Sequence, residues 1–246
     1  MKVLAVNASP KAEKSNTSLV LDPFLQGMRN AGAGVDLYYT QKLKIRPCTG
    51  DLHCWFQKPG ECIHKDDMAK LYPQWRAADI WVLASPVYFD GISGPLKNML
   101  DRLVPLIQPF VELRDGHCRH ALREGTGTGK VVLIANCGFW ETDNFDPLIR
   151  HMQSFAENVG REFAGSLVRP CGESFKGMLE LKMPVEDIGK AAEQAGYQLV
   201  TEGHMPAETV QTVSREILPL EKFVKTSNRI ARQMLDEAGN SNKEKE

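Results

Sequence analysis

Residues 1–17 read MKVLAVNASPKAEKSNT and join a short apolar run to a polar segment rich in hydroxyl groups. The apolar run, Val3 to Val6, is typical of a strand buried on both faces of a parallel sheet. The polar segment leads directly into a helical apolar periodicity that begins at Leu19. A strand, a loop and a helix N-terminus in this order favour an anion, because free N–H groups and the helix dipole point into the loop. The stretch therefore predicts a phosphate-binding loop.

The phosphate interpretation of this loop has an alternative. The loop has neither the G-x-G-x-x-G pattern of dinucleotide-binding loops nor the G-K-[ST] ending of a P-loop. Ser15, Asn16 and Thr17 could instead serve only as caps of the helix that follows. The loop alone leaves both interpretations open.

The composition is that of an ordinary globular protein. The chain has 246 residues, of which 42% are hydrophobic and 25% charged, and its formal net charge is −1. This balance gives no general attraction to nucleic acid or to anionic membranes, so we expect neither as a partner. Without an apolar run of about 20 residues or a signal-peptide pattern, the sequence predicts a cytoplasmic protein. Its six cysteines indicate reduced thiols, metal or cluster ligands, or redox groups rather than structural disulfides.

Strand and helix patterns alternate along most of the chain. Besides residues 3–6, strands are predicted at residues 35–39, 79–84, 130–136 and 163–168. Helices are predicted near residues 19–28, 66–76, 93–103, 145–159, 185–201 and 207–233, whereas residues 105–130 show no clear period. Alternation of this kind predicts a parallel α/β sheet with helices on both faces.

Ligands of open α/β sheets bind outside the carboxyl ends of the strands, and three loops are predicted there. The loop after the first strand suits a phosphate. The loop after residues 79–84 presents Pro86, Val87, Tyr88 and Phe89, and the loop after residues 130–136 presents Gly138, Phe139 and Trp140. A ligand with a phosphate at one end and a broad flat ring at the other would meet all three loops, and backbone N–H groups of the second could bond the ring. FMN has this form. The alternative is that these aromatic residues pack in a core or an interface.

Together these segments resemble the NAD(P)H-dependent, flavodoxin-like FMN reductase family, and within it the branch of iron–sulfur flavoproteins. The matching segments are N-A-S-P-K-x3-S-N-T at residues 7–17, S-P-V-Y-F at 85–89 with S-G-P-L-K-N-M-L-D-R at 93–102, and C-G-F-W-E at 137–141. They extend over most of residues 1–170, and their order and spacing make the resemblance specific.

The resemblance implies a fold, a cofactor and a set of site residues. The fold is an α/β, flavodoxin-like, doubly wound five-stranded parallel sheet of order 2-1-3-4-5. The first loop would hold the FMN phosphate, the second would frame the isoalloxazine ring and the third would approach it. The implied contacts are Ser9, Lys11, Ser15, Asn16 and Thr17, then Pro86, Val87, Tyr88 and Phe89, and finally Cys137, Gly138, Phe139 and Trp140.

The implied chemistry is hydride transfer from NADH or NADPH to FMN, followed by electron delivery to a quinone, a flavin, a metal or a protein acceptor. The cofactor carries this chemistry, so no general acid or base is assigned. Family members are commonly homodimers or homotetramers, and the resemblance implies the same here. Two other hypotheses stay open: a non-enzymatic flavin electron carrier, and a redox-sensing flavoprotein that uses its cysteine loop as a switch.

The cysteine loop departs from the pattern that it resembles. Iron–sulfur flavoproteins carry C-x2-C-x2-C followed shortly by a fourth cysteine. Here Cys48, Cys54 and Cys62 hold the first, third and fourth places, and Asp51 takes the second. Because four thiolates normally hold a [4Fe–4S] cluster, no metal site is assigned. Three alternatives remain: packed reduced cysteines, which we favour, a three-cysteine cluster completed by Asp51 or water, and a zinc site that uses a histidine of the loop.

The domain organisation follows from these assignments. We expect a flavodoxin-like FMN-binding domain over residues 1–205, which includes the irregular cysteine loop at residues 40–65. Residues 206–239 are predicted to form a helical extension. The polar residues 240–246 predict a disordered tail.

Overall fold

A computed structural model describes residues 1–243, and residues 244–246 lie outside the described part of the chain. Its strands are β1 (Lys2–Asn7), β2 (Gly34–Tyr39), β3 (Ile80–Pro86), β4 (Ile107–Arg114), β5 (His117–Leu122), β6 (Lys130–Asn136) and β7 (Glu162–Arg169). Its α-helices are α1 (Ser18–Asn30), α2 (His53–Phe56), α3 (Met68–Ala77), α4 (Gly94–Asp101), α5 (Asp146–Asn158), α6 (Gly172–Glu180), α7 (Glu186–Thr201), α8 (Ala207–Ser214) and α9 (Leu220–Lys243).

The main sheet has five strands in the order β2-β1-β3-β6-β7, and every neighbouring pair is parallel. Counted within this sheet alone, the order is 2-1-3-4-5, which confirms the flavodoxin-like, doubly wound prediction. The central strand β3 is buried along its whole length. Its largely apolar sequence suits that position, because helices cover both faces of such a sheet.

Helices α3, α4 and α5 pack with the sheet around one large apolar core. Its bulkiest members are Trp75 of α3 and Trp81 of β3, whose rings meet edge to face with centroids 4.7 Å apart. The Arg161 guanidinium lies 3.7 Å from the centroid of the Trp81 ring and donates to three backbone carbonyls. Burial of this arginine is compensated in part, because its charge faces an aromatic ring and its terminal N–H groups have acceptors, whereas its Nε–H has none.

Two glycines let the backbones of α1 and α7 touch. A Cβ atom at Gly27 would lie 1.8 Å from the carbonyl oxygen of Glu193, and one at Gly196 would lie 2.0 Å from that of Phe24. No side chain can be accommodated at such distances. The close approach of the two helices therefore depends on glycine at both positions.

Residues 105–130, for which the sequence shows no clear period, contain a β-hairpin. Strands β4 and β5 pair antiparallel, with Arg114 opposite His117, and form a two-stranded sheet of their own. The turn residues Asp115 and Gly116 have φ angles of 49° and 77°. Asp-Gly between two extended segments is a strong signal for a type I′ turn. The sequence therefore contained evidence for this hairpin, but the apolar periodicity did not show it.

The chain divides into two compact units, residues 1–214 and residues 215–246. This division differs from the predicted boundary at residue 205, because α8 packs against α7 and β7 of the first unit. Helix α6 also lies where no helix was predicted.

The second unit contains α9, which ends at Lys243. The predicted disordered tail of residues 240–246 was therefore wrong for residues 240–243, which are helical. The rest of that prediction lies outside the described residues. In the part of the chain that the structure describes, no helix has the length and apolar character needed to cross a membrane.

Candidate functional site

The carboxyl ends of β1, β3 and β6 lie side by side at one edge of the sheet. In the parallel register Asn7 is paired with Ala84, and Pro86 is paired with Asn136. Neighbouring strands are about 4.8 Å apart, so the three loops of the predicted site start close together. This is the edge at which open α/β sheets bind ligands.

The loop after β1 folds back on the buried side chain of Asn7. The Oδ1 atom of Asn7 accepts a hydrogen bond of 3.0 Å from the backbone N–H of Ser9, and its Nδ2 donates to Ser18 Oγ at 2.9 Å. The hydroxyls of Ser18 and Ser15 are in turn 3.1 Å apart. Asparagine suits this position because its amide can bond the backbone two residues on. The loop is thus held in shape by its own hydrogen bonds.

Two backbone N–H groups of this loop are free donors. Among the described residues, the N–H groups of Asn16 and Thr17 have no acceptor. They directly precede α1, whose N-terminus carries partial positive charge. Ser15 does act as a cap, because its Oγ accepts from the Ser18 N–H at 3.2 Å, but Thr17 makes no capping bond. The capping alternative therefore explains Ser15 and leaves the donors of Asn16 and Thr17 without a role.

Lys11 is paired with an acidic residue that the sequence analysis did not single out. Its Nζ lies 3.6 Å from Oε1 of Glu173 in the first turn of α6, and both side chains are largely exposed. Exposed pairs of this kind contribute about 0–1 kcal/mol. A phosphate can therefore compete with Glu173 for Lys11.

Thr17 and Asn136 join the first loop to the end of β6. Thr17 Oγ1 donates to Asn136 Oδ1 at 2.5 Å, and both residues are buried. Gly172 lies at the same corner, since a Cβ atom there would be 2.8 Å from Asn136 Nδ2 and 3.4 Å from the Asn16 Cβ. The start of α6 consequently lies at this edge of the sheet.

The loop after β3 contains a strained two-residue turn at Phe89 and Asp90. Tyr88 and Gly91 exchange two backbone hydrogen bonds of 3.1 Å, and the φ angles of Phe89 and Asp90 are 47° and 62°. This is the form of a type I′ turn, which costs a residue with a side chain about 1–2 kcal/mol. Phe89 is fully exposed at its tip, and Tyr88 is about half exposed. An exposed aromatic residue held in a strained turn indicates a binding role.

The base of this second loop is already bonded within the protein. Pro86 is buried as the last residue of β3, and Val87 is half-buried. The Val87 N–H donates to the Asn136 carbonyl at 2.9 Å, and the Tyr88 N–H donates within the turn. These two N–H groups are not free for a ring, contrary to the sequence-based expectation for this loop.

The third loop has a buried base and an exposed tip. Cys137 is buried, its Sγ donates to the Phe139 carbonyl at 3.4 Å, and burial raises the pKa of its thiol. Gly138 and Phe139 are exposed and Trp140 is half-buried. Within the described residues, the N–H groups of Gly138 and Phe139 have no acceptor. Cys137 thus supports the loop from beneath, while the tip offers two donors and an aromatic face.

The sequence analysis missed the buried polar residues that end three of the strands. Asn7 ends β1, Asn136 ends β6 and Arg169 ends β7, and all three are buried. Arg169 donates to the Val213 carbonyl at 2.7 Å and so anchors α8. A polar residue that closes an apolar strand run, as in KVVLIAN, was the available signal.

The cysteine loop forms a separate site. Cys48, Cys54 and Cys62 are free thiols that line one small cavity of about 110 Å³, together with Asp51 and Arg102. In the described part of the chain, no three His, Cys, Asp or Glu side chains converge as ligands of one metal ion. The structure thus brings the three loop cysteines together without closing them around a single ion.

A larger, open cleft of about 690 Å³ lies beside the β4–β5 hairpin and the end of α5. Gly160 and Arg161, which line it, come just before β7. The cleft is therefore at the amino-terminal edge of the sheet, away from the three loops.

Comparison with known proteins agrees with this architecture. The family model described as NADPH-dependent FMN reductase matches residues 1–161. An iron-sulfur flavoprotein of Archaeoglobus fulgidus is 34% identical over 138 residues, which are 56% of each chain. A second iron-sulfur flavoprotein of that organism is 32% identical over 197 residues, which are 78% of this chain and 97% of that protein.

The solved structures show the same fold at low sequence identity. The structure of an FMN-dependent NADH-azoreductase from Bacillus anthracis in complex with FMN superposes with a TM-score of 0.59 over 81% of this chain and 100% of that chain, at 16% identity.

The chain spans about half the length of several relatives, since the alignments cover 56%, 48% and 53% of three iron-sulfur flavoproteins. Because the family model matches residues 1–161 of 246 and one relative is matched over nearly its whole length, the chain belongs to the NADPH-dependent FMN reductase family.

Proposed function

We propose that this protein is an FMN-dependent NAD(P)H oxidoreductase that passes electrons to a quinone, a flavin, a metal or a protein acceptor. The observation that carries the proposal is the meeting of two kinds of group at one sheet edge. Free N–H donors and buried hydroxyls follow β1, and exposed aromatic side chains follow β3 and β6. Membership of the FMN reductase family supports the same assignment.

The first loop fits a phosphate by its chemistry. Its free donors are the N–H groups of Asn16 and Thr17 ahead of α1, and a helix N-terminus favours a dianion. The buried hydroxyls of Ser9 and Ser15 belong to the same loop, and Lys11 adds a positive charge. These five residues would hold the phosphate of FMN.

The second and third loops fit the ring. Tyr88, Phe89 and Phe139 expose aromatic surface that can cover a planar group, and the N–H groups of Gly138 and Phe139 can bond its polar edge. Pro86, Val87, Cys137 and Trp140 complete the proposed contacts. When bound, FMN supplies the chemistry by taking a hydride from the nicotinamide and passing electrons on. The protein binds the ring, orients it and keeps water from it.

The proposal extends to assembly and location. Phe89 and Phe139 expose apolar side chains at the site that a second subunit can cover, so we propose a homodimer or homotetramer. All six cysteines are free, which suits the reducing cytoplasm, where we propose the protein works.

Cofactor binding is tested by titrating the purified apoprotein with FMN and, separately, with riboflavin, which lacks the phosphate. We expect FMN to bind much more tightly, and Ser9→Ala to weaken FMN without changing riboflavin. Thr201→Ala, on an exposed part of α7, is the matched control and should match the wild type. Equal affinity for both flavins would reject the phosphate site.

Turnover is tested with NADH and NADPH as donors and with a quinone or ferricyanide as acceptor. Steady oxidation of either nucleotide supports the oxidoreductase. Tight FMN binding with no turnover of either nucleotide would instead identify a flavin electron carrier.

A further inference from the structure

The cavity of the cysteine loop is a second candidate redox site, and it does not depend on FMN. The thiols of Cys48, Cys54 and Cys62 come from positions up to 14 residues apart, yet they line the same space of about 110 Å³. The loop that carries them is fixed to the body by Arg102, whose guanidinium donates to the Arg46 carbonyl at 2.6 Å and to Asp66 at 2.7 and 3.1 Å. The segment with the three thiols is therefore attached to the body on both sides, at Arg46 and at Asp66.

The three thiols around the cavity are not arranged as the ligands of a single metal ion. Zinc binds thiolates at about 2.3 Å, so its ligands must approach one another closely. In the described residues no three ligand side chains do so. The volume of about 110 Å³ equals that of three to four waters in the liquid. Thiols spread around such a space suit a group with several metal and sulfur atoms.

Two buried nitrogen atoms beside this cavity have no hydrogen-bond partner. Arg102 is only 1% exposed, and its Nε–H has no acceptor although both of its terminal nitrogens donate hydrogen bonds. The Nε2 atom of His64, which also lines the cavity, is buried and unpaired. A buried guanidinium N–H without an acceptor is costly, so an acceptor in the cavity is expected. The sulfur atoms of an anionic cluster are acceptors of this kind.

Asp51 supplies a carboxylate to the lining of the cavity. Its Oδ1 accepts from the His53 N–H at 2.8 Å and its Oδ2 accepts from the Thr49 hydroxyl, so the carboxylate is oriented by the loop. Each oxygen keeps a lone pair for a further bond. Hydrogen bonds of this type commonly orient metal-bound carboxylates.

We propose that Asp51 is the fourth ligand of a [4Fe–4S] cluster whose other ligands are Cys48, Cys54 and Cys62, and that Arg102 donates its Nε–H to a cluster sulfur. Relatives named iron-sulfur flavoproteins support the presence of a cluster. Their names do not identify Asp51 as one of its ligands. Because Asp51 is exposed and its oxygen is a harder ligand than a thiolate, the iron that it holds is the one released first.

The protein is purified anaerobically and incubated with ferrous iron and sulfide, and iron, zinc, sulfide and FMN are measured in the same sample. We expect about four irons and four sulfides per chain. One equivalent of ferricyanide should then take one electron and release one ferrous ion, so that [4Fe–4S]²⁺ gives [3Fe–4S]⁺, Fe²⁺ and ferrocyanide. The iron count should fall to about three, and the EPR signal of a three-iron cluster should appear.

Three variants make this test specific. Asp51→Cys should keep four irons and show no three-iron signal after the same treatment. Glu61→Cys adds a thiol to the loop but not to the cavity lining, and it should behave as the wild type does. Arg102→Lys keeps the charge facing Asp66 but removes the Nε–H, and it should lower the reduction potential of the cluster at an unchanged iron count.

The proposal is overturned by fewer than one iron per chain after incubation, or by a single zinc without sulfide. It is also overturned if Asp51→Cys and the wild type lose iron equally. The FMN content of each sample reports the flavin site separately, so failure of one site is distinguishable from failure of the other.

Discussion

Thr17 Oγ1 donates a hydrogen bond of 2.5 Å to Asn136 Oδ1, and this contact joins two residues that are 119 positions apart in the chain. Both side chains are buried between the loop after β1 and the end of β6. The contact therefore fixes the proposed phosphate loop relative to the loop that carries Phe139. Neither loop can shift alone without breaking it.

Replacing Thr17 by Val should lower the free energy of unfolding by about 1–3 kcal/mol, because Asn136 Oδ1 stays buried without its donor. Thr17→Ser keeps the hydroxyl and should lose much less. Urea unfolding of both variants measures the difference. Equal losses would show that the contact contributes nothing beyond packing.

Glu173→Gln should tighten FMN binding roughly two- to fivefold, since it removes a negative charge that competes with phosphate for Lys11. The gain should shrink as the salt concentration rises, because both side chains are exposed. Fluorescence titration with FMN at low and at high salt measures the difference in affinity between the variant and the wild type. Riboflavin is the control ligand, and an equal gain for riboflavin would contradict an effect on the phosphate.

Phe89→Asn with Asp90→Gly should raise the free energy of unfolding by about 1–2 kcal/mol, because the pair suits the positive φ angles of this turn. If Phe89 covers the ring, the same change should weaken flavin binding. Phe89→Ala removes the ring without relieving the backbone and separates the two effects. Thermal unfolding and FMN titration are the measurements, and an unchanged stability would show that the turn is not strained.

Gly196→Ala should lower the free energy of unfolding by at least about 1–3 kcal/mol, because its methyl group would meet the Phe24 carbonyl and push α1 and α7 apart. Gly189→Ala lies on the same helix with nothing within 4 Å of its Cβ position. It should be neutral or stabilise by up to about 1 kcal/mol. Denaturant unfolding of the two variants compares them, and similar values would contradict the close helix contact.

Asp66→Asn should destabilise the protein at neutral pH by roughly 3–5 kcal/mol, because Arg102 would be left buried without its partner. The exposed pair of Lys97 and Asp101 provides the control, and Asp101→Asn should cost no more than about 1 kcal/mol.

The same pair predicts a pH dependence. Burial raises the pKa of Asp66, but hydrogen bonds from Arg102 and the Arg46 N–H, with the Arg102 charge, outweigh burial and hold that pKa below its usual value. A carboxyl with a lowered pKa stabilises the fold above its unfolded pKa of about 3.9 and loses that contribution as the pH falls through the folded pKa. The free energy of unfolding, measured between pH 2 and pH 7, should therefore fall more steeply toward acidic pH for the wild type than for Asp66→Asn. If the stability of both proteins fell in parallel with pH, protonation of Asp66 would not contribute to the acid loss of stability.

The sequence by itself determined the order and type of the sheet elements. Apolar β-branched runs alternating with helical periods predicted a parallel α/β sheet with right-handed crossovers. The resemblance of its loop motifs to the FMN reductase family implied the five-stranded order that the structure has. The same runs placed loops of suitable chemistry after β1, β3 and β6. Even the missed hairpin had a local signal, the Asp115-Gly116 turn.

Only the tertiary structure decided what each polar group is free to do. Thr17 and Val87 both donate hydrogen bonds to Asn136. Glu173 pairs with Lys11. Folding brings these residues together although no local sequence pattern connects them. The contact of α1 with α7 and the gathering of three thiols around one cavity have the same origin. Local periodicity reports which face of an element is buried, whereas hydrogen-bond partners and cavities depend on distances between elements that are far apart in the chain.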